Sequence, residues 1–430
     1  MWNDLLFATG IDIVVLMICS WLLFRHGKIS IYHPAATYLA FHLYTITFRL
    51  IFLSNGGGVF LEVQNYFTAI ENYEIARASI LADIGFTAMT IAWLWEASLK
   101  SPIKPNKPVI LLDEGILTVV LFVTIPIGVW GILSQLYIPG FGKANADFGA
   151  WGESSYLVNT QNWIVLGLIM VVFKYGFKKL PILIIILCLF ILSFQGELRY
   201  RIVIPIVFLL FLYLHRKQKK WISWRSTMLF FIGGMIFLPL KYIGKLIQQG
   251  ATFSDLLEFA SEYREGISVG DNADFSFLDM YASILTLIDQ SGKYFYGSTY
   301  FTLLLAPIPR PWWQDKPSLM QWMIDISTPD RNLKKLGAIA TLYGESYANF
   351  GYIGIVIIPF LFAKYSARWY KKISDTHPQS ANLFAYLYFS AILIQIYRDG
   401  LNAIFMFLSV YNMPGFFVYV FSILKGKRSA

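Results

Sequence analysis

The residues best suited to chemistry stand in a stretch of mixed charge, from Pro307 to Gly354, between long apolar parts of the chain. Prolines and glycines keep this stretch from forming one continuous helix. Charged, irregular backbone beside a membrane is costly unless it lies in water or lines a cavity. The stretch is therefore predicted to be a functional site, with an ordinary loop outside the membrane as the alternative. Its charged side chains include Arg310, Lys316, Arg331, Lys334, Lys335 and Glu345.

A second group of arginines is predicted to lie at the same membrane level. Arg199 and Arg201 fall in a very short connection between two apolar runs, and Arg398 stands beside Asp399 in another. The planar guanidinium group binds phosphate oxygens through two parallel hydrogen bonds and keeps its charge at any working pH. Arg199, Arg201, Arg310 and Arg398 are therefore predicted to line an electropositive cavity that binds a phosphorylated lipid.

Other charges near that level are predicted to be ion pairs that hold helices together. Arg49, Arg77 and Asp83 belong to this class, although Arg77 and Asp83 are six residues apart, which is not an ideal spacing for helix neighbours. The same explanation stays open for Arg398 with Asp399.

A general base on this outer face has to be a carboxylate, because the predicted topology places no histidine there. The predicted topology places His26, His33, His215 and His377 at the cytoplasmic side, and His42 falls within an apolar run. Glu345 is the first choice for the base, ahead of Asp399 and Glu197. The alternative for Glu345 is an acidic residue that favours the dipole at a helix N-terminus.

The composition indicates a helical membrane protein. Of the 430 residues, 57% are hydrophobic and 14% are charged, whereas a soluble protein carries about a quarter charged residues. Repeated apolar runs of about twenty residues, without strand-like alternation, predict an all-α polytopic protein and not a barrel. The net charge of +9 reflects cytoplasmic Lys and Arg rather than nucleic-acid binding. Cys19 and Cys188 lie in apolar runs and carry no disulfide information.

About eleven membrane spans are predicted. A weak apolar pair near 276–288 and 299–309 is interpreted as a re-entrant or interfacial segment of the external loop, and the number becomes twelve if this pair spans the membrane. The predicted division is an N-terminal bundle over 1–246, a large external loop over 247–347 and C-terminal spans over 348–430. The predicted spans are 5–24, 36–54, 76–98, 115–137, 161–178, 180–195, 202–215, 226–246, 348–366, 382–397 and 401–424.

Every second connection between these spans is rich in Lys and Arg, and the positive-inside rule assigns such connections to the cytoplasm. The N-terminus is then outside and the C-terminus cytoplasmic. The long segment 247–347 is external.

Several of these residues together resemble a known family. The motifs are Gly196-Glu-Leu-Arg-Tyr-Arg201 at the start of a span, Pro309-Arg310 followed by Trp312, Lys316-Pro317, and Gly344-Glu345-x-Tyr347-x-Asn349-Phe350-Gly351. They are similar to those of the bacterial oligosaccharide repeat-unit polymerases, the Wzy type of O-antigen and capsule polymerase. The resemblance covers about residues 190 to 400.

The resemblance implies a C-type glycosyltransferase fold with many helices and one large, late periplasmic loop in the inner membrane. It implies metal-independent glycosyl transfer, without a cofactor, from a glycan on undecaprenyl pyrophosphate. Membrane lipids are further partners, a chain-length regulator is a candidate protein partner, and nucleic acid is not expected.

The resemblance also suggests a role for each candidate residue. Glu345 would accept the proton of the acceptor hydroxyl, and Arg310 would stabilise the charge of the leaving pyrophosphate. Related ligases use a histidine near this site, and this chain has none outside. The residues that would bind pyrophosphate or glycan are Arg199, Arg201, Arg398, Lys316, Trp312 and Tyr347.

Two other classes remain open. A lipid-linked oligosaccharide flippase or polysaccharide exporter would share the hydrophobicity and the electropositive cavity, but it is expected to show internal repeats. An O-acyltransferase would place a histidine in the site, which the predicted topology does not allow on the outer face.

Overall fold

The described part of the chain is almost entirely helical in the computed structural model. One short antiparallel pair interrupts it, formed by β1 (Tyr137–Ile138) and β2 (Phe141–Gly142). The structure describes residues 2–60, 70–99, 110–135, 137–138, 141–142, 155–193, 200–225, 227–228, 254, 275–305, 308, 312–313, 315, 322–323, 341–373 and 377–428.

The helices follow one another along the chain with short connections wherever those connections are described. In order they are α1 (Trp2–His26), α2 (Pro34–His42), α3 (Phe48–Ser54), α4 (Asn72–Ser98), α5 (Glu114–Gln135), α6 (Ser155–Tyr175), α7 (Lys179–Ser193), α8 (Tyr200–Arg216), α9 (Phe277–Ser291), α10 (Ser298–Leu305), α11 (Leu342–Ile373), α12 (Ala381–Ala391), α13 (Leu393–Asp399), α14 (Asn402–Phe405) and α15 (Met413–Arg428).

Five helices in the described residues are long and apolar enough to cross a membrane. Helices lie over every predicted span except 226–246, of which only residues 227–228 are described. The chain is therefore an all-α protein whose long apolar helices suit repeated membrane crossing. The five span candidates are Asp4–His26, Pro34–Ser54, Asn72–Ser98, Glu114–Ser134 and Leu342–Ile373, and shorter apolar helices cover Thr160–Tyr175, Lys179–Leu192 and Met413–Gly426.

The chain folds into two compact units, each assembled from separated stretches. Unit 1 comprises Met1–Pro102, Ile267–Lys371 and Leu393–Phe405, and unit 2 comprises Ile103–Gly266, Lys372–Ile392 and Met406–Ala430. These units do not follow the linear division at residues 246 and 347. Within unit 1, α9 is buried and packs on α4, so this part of the predicted loop belongs to the core.

Two short π-helical turns interrupt the helices. The first, Leu43–Thr47, joins α2 to α3 in unit 1, and the second, Met406–Tyr411, precedes α15 in unit 2. A π turn displaces side chains from the regular helical pattern and is frequent at functional sites. Both turns adjoin polar clusters described below.

Helix α11 is broken near its start. Phe350 and Gly351 leave helical geometry, and Gly351 has a φ of +58°, which glycine adopts without steric cost. The break separates a short leading segment, which carries Glu345, from the remainder over 352–373. At 1.5 Å per residue that remainder is about 33 Å long, enough for a hydrocarbon core of about 30 Å.

Helices α4 and α11 run in the same direction within unit 1. Arg77, near the start of α4, donates hydrogen bonds to Tyr347 and Tyr352, near the start of α11. At the other end, Arg368 donates to Glu96 at 2.8 Å. This is the relative direction that the basic connections predict.

Candidate functional site

Glu345 is fully buried in unit 1, and protein groups surround its carboxylate. Its Oε2 accepts a hydrogen bond from the backbone N–H of Leu401 at 2.6 Å. The hydroxyl of Thr299 lies 3.4 Å from Oε1. The carboxylate thus joins the start of α11 to the connection between α13 and α14 and to α10.

The same connection is tied to α11 by its backbone. The N–H of Thr341 donates to the carbonyl of Arg398 at 2.8 Å, and the Thr341 hydroxyl accepts from the N–H of Gly344 at 2.8 Å, as an N-cap does. Gly400 completes the turn with a φ of +81°. Thr341 and Glu345 together fix the turn that carries Arg398.

Asn349 extends this network to the start of α10. Its side-chain N–H donates to the Thr299 hydroxyl at 2.7 Å, and its Oδ1 accepts from the N–H of Gly297 at 2.8 Å. Since Thr299 also faces Glu345, one polar cluster connects α10, α11 and the Gly400 turn. Buried polar groups joined in this way hold their helices in one arrangement.

Among the candidate arginines, Arg398 takes part in this cluster through its backbone carbonyl, which accepts from Thr341. Its side chain is 29% exposed, and Nε lies 3.5 Å from Oδ1 of Asp399. The guanidinium carbon is 5.5 Å from the ring centre of Phe277. Nε makes no hydrogen bond to any described residue, so Arg398 keeps a donor for another acceptor.

Tyr347, a predicted glycan contact, is only 1% exposed. Its hydroxyl donates to Asp289 at 2.5 Å and accepts from Arg77 at 2.9 Å. Arg77 pairs with Asp289 through Nη1 at 2.5 Å, and not with Asp83 as the sequence suggested. In this conformation Tyr347 joins helices and has almost no surface for a sugar. Trp312, by contrast, is 83% exposed.

Arg49 forms a buried ion pair, as the sequence favoured. Its Nε and Nη2 donate to the two oxygens of Asp279 at 2.9 and 2.5 Å, and neither side chain is exposed. The N–H of Phe60 also donates to Asp279 at 2.8 Å. Both charges are neutralised, so this arginine has a structural role.

Arg201 has a different environment, in unit 2. It lies in the first turn of α8, is 6% exposed, and lines a small cavity. Its Nε and Nη2 have no hydrogen-bond partner among the described residues, and neither do the hydroxyl of Tyr200 and the amide of Asn162. The cavity is lined by Asn162, Val165, Leu166, Tyr200, Arg201, Ile204, Pro205, Tyr388, Phe407 and Tyr411.

The remaining candidates lie outside the described residues. These are Arg199, Arg310 and Lys316, together with Glu197. The described candidates divide between the two units. Arg201 belongs to unit 2, and unit 1 contains Trp312, Glu345, Tyr347, Arg398 and Asp399.

Sequence reasoning did not single out one further cluster, in unit 1. Nε2 of His42 lies 2.8 Å from Oδ1 of Asp12 and 3.5 Å from Oδ1 of Asp83, and all three side chains are buried. A charged residue inside an apolar run was the signal that could have found it. This is the one group of metal-ligating side chains detected in the described residues.

No family model, no curated protein and no solved structure matches this chain. The assignment of function therefore depends on the chemistry of these side chains and on the family resemblance of the sequence motifs.

Proposed function

We propose that this protein polymerises oligosaccharide repeat units carried on undecaprenyl pyrophosphate into a surface polysaccharide, an O-antigen or a capsule. The reaction is glycosyl transfer at the periplasmic face of the bacterial inner membrane. We also propose that the chain has eleven or twelve membrane spans, a C-type glycosyltransferase fold with a large late loop, and a cytoplasmic C-terminus. The repeated apolar helices and the motifs between residues 190 and 400 support it.

The proposal rests above all on Arg201, whose Nε and Nη2 have no hydrogen-bond partner among the described residues. Arg49 uses the Nε and Nη2 edge of its guanidinium to hold both oxygens of Asp279. Arg201 lines a cavity, and its same two donors meet no acceptor among the described residues. A buried charge without a partner is costly. An anionic ligand with two oxygens, such as a phosphate, would satisfy both donors.

The lining of the cavity suits the head of a lipid-linked glycan. The Tyr200 hydroxyl and the Asn162 amide offer further hydrogen bonds near Arg201, and Tyr388, Phe407 and Tyr411 add aromatic surface. These hydrogen-bonding groups beside Arg201 suit a phosphate-containing head group.

In the proposed reaction, the acceptor hydroxyl attacks the anomeric carbon of the donor glycan. The bond between that carbon and the phosphate oxygen breaks, and undecaprenyl pyrophosphate leaves with the electron pair. Arg201 stabilises the charge that develops on the leaving group, with Arg199 and Arg310 in the same role. Lys316 and Arg398 assist binding, and Trp312 stacks on sugar.

The proton of the acceptor hydroxyl goes to Glu345 in this proposal. Because Leu401 and Thr299 cover its carboxylate, proton transfer requires the Gly400–Leu401 turn to move away when substrate binds. A pyrophosphate is a good leaving group, so the base supplies the smaller part of the rate enhancement.

The test is a gene deletion complemented with single variants and read on a gel of surface polysaccharide. Wild type should restore the ladder, and R201A should leave single repeat units on the surface or on the lipid carrier. R201K keeps the charge but loses the two-donor edge, so it should restore the ladder only weakly. R225A alters an exposed arginine and is the matched control.

Wild-type ladders from R201A would overturn the assignment of this cavity. If repeat units stay on the cytoplasmic face of the membrane in the deletion strain, the missing step is transport. The proposed function would then be that of a flippase and not of a polymerase.

A further inference from the structure

Three membrane helices of unit 1 bring Asp12, His42 and Asp83 together. Asp12 lies on α1, His42 on α2 and Asp83 on α4, each more than two helical turns from either end of its span candidate. The ligand atoms of the three side chains lie within 4.8 Å of one another. The burial is complete for Asp12 and His42, and Asp83 is 3% exposed.

The cluster cannot satisfy its own polar atoms. His42 Nε2 can donate one hydrogen bond, and Asp12 Oδ1 at 2.8 Å takes the better position. Oδ2 of Asp12 and both oxygens of Asp83 have no hydrogen-bond partner among the described residues. Unpartnered carboxylate oxygens in an apolar interior are among the most expensive groups that a protein can bury.

We propose that Asp12, His42 and Asp83 bind one divalent cation of the first transition row, for which Zn²⁺ is the probe. Two carboxylates and one neutral imidazole carry a charge of −2, which such an ion balances. Tetrahedral ligands at about 2.0 Å from zinc lie about 3.3 Å apart. The spacings of 2.8 and 3.5 Å around His42 Nε2 lie on either side of that value.

The far nitrogen of His42 is already held in the way that a metal-binding imidazole needs. Nδ1 lies 3.1 Å from the hydroxyl of Tyr38. An Nδ1–H donated to that oxygen leaves the lone pair of Nε2 directed at the cation. The mixed ligand set favours zinc or a neighbouring transition metal over Mg²⁺ or Ca²⁺, because those two bind oxygen alone in most proteins.

A cation here would fasten α1, α2 and α4 and also reach α11. The hydroxyl of Tyr38 is hydrogen-bonded to that of Tyr343, two residues before Glu345. The ion would therefore stabilise unit 1 and hold the leading segment of α11. The ion has no part in the proposed glycosyl transfer. The metal site can therefore be tested separately from the proposed activity.

The first experiment uses the wild-type protein, purified in detergent without a histidine tag. After treatment with a chelator, it is reconstituted with Zn²⁺ and passed over a desalting column. We expect one zinc per chain, a higher Tm than that of the chelated protein, and a zinc-edge X-ray absorption spectrum with one imidazole, oxygen ligands and no sulfur. Folded protein without bound zinc, or zinc with sulfur or several imidazoles, would overturn the proposal.

Variants then locate the ion. H42Q and D83N should lose the zinc, and Y38F, which removes only the oxygen beside Nδ1, should weaken its binding by about 10- to 100-fold. H26Q changes an exposed histidine at the end of α1 and should retain the metal. Zinc bound by folded H42Q with wild-type affinity would place it elsewhere. If H42Q and D83N do not fold, the proposal is tested by the zinc affinity of Y38F and by the X-ray absorption spectrum of the wild-type protein. Unchanged zinc affinity in Y38F would then contradict it.

Discussion

The carboxylate of Glu345 accepts a hydrogen bond from the backbone N–H of Leu401, 56 residues later in the chain, across 2.6 Å. This contact holds the turn that follows Arg398 against the first segment of α11. A residue proposed to move a proton and a residue proposed to bind phosphate are thus fixed by one hydrogen-bonded turn. The close approach depends on Gly400, where a Cβ would overlap the Glu345 carboxylate.

G400A is expected to destabilise the protein and to abolish polymer formation. Alanine pays about 1–2 kcal/mol at positive φ, and its Cβ would displace the Glu345 carboxylate. G292A is the matched control, because Gly292 has a φ of +63° but no atom lies within 4 Å of an added Cβ. The measurement is Tm in detergent with a polysaccharide gel. Equal Tm values for both variants would show that the contact with Glu345 is unimportant.

E345Q tests proton transfer with little change of shape. The glutamine carbonyl can still accept from Leu401, so Tm should stay near that of wild type. Loss of the base should lower the rate of polymerisation by about 10²–10⁴, measured with purified protein and synthetic lipid-linked repeat units. S346A, which changes a neighbouring buried hydroxyl bonded to Leu342, should remain active. An active E345Q together with an inactive E345A would assign Glu345 to positioning alone.

The Arg49–Asp279 pair should contribute far more to stability than an exposed pair does. R49M leaves the Asp279 charge buried without its counter-ion, and we expect a loss of about 3–5 kcal/mol. K425M removes the partner of Asp113, where the lysine is 63% exposed, and should cost less than about 1 kcal/mol. Thermal unfolding in detergent ranks the two variants. A similar decrease in Tm for both would contradict the structural role of Arg49.

The orientation of the chain can be tested with single cysteines. Cys19 and Cys188 are buried, so the wild-type background should be low. K293C, at an exposed position after α9, should react with a membrane-impermeant thiol reagent on intact cells. K217C, exposed after α8, should react only after the membrane is permeabilised. The opposite pattern would reverse the predicted topology.

The long apolar helices could be predicted from the sequence because they depend on local composition. A run of about twenty apolar residues suits a hydrocarbon core wherever it occurs in a chain. Helices accordingly lie over the predicted spans that the structure describes. The break at Gly351 illustrates the limit of such reasoning, since the motif around Glu345 was visible but the change of helix direction was not.

The partners of the charged residues could not be predicted in this way. Arg77 was paired with Asp83 because they are near in sequence, but it binds Asp289, 212 residues away. Asp83 instead faces His42 on another helix. Long-range ion pairs depend on how helices pack against one another, and a local sequence pattern does not specify that packing.

The sequence by itself determined that this is an all-α protein with long apolar helices suited to a membrane, and it singled out the charged residues on which the proposed function depends. Hydrophobic transfer and helix formation act over a few turns, so they can be read from neighbours in the chain. Only the tertiary structure decided which charged side chains form ion pairs and which have hydrogen-bond donors without a partner among the described residues. It paired Arg49 with Asp279, placed Arg201 in the lining of a cavity, and brought Asp12, His42 and Asp83 together. Those outcomes depend on how helices that are distant in sequence pack, because packing determines whether each buried charge finds a partner that offsets its desolvation.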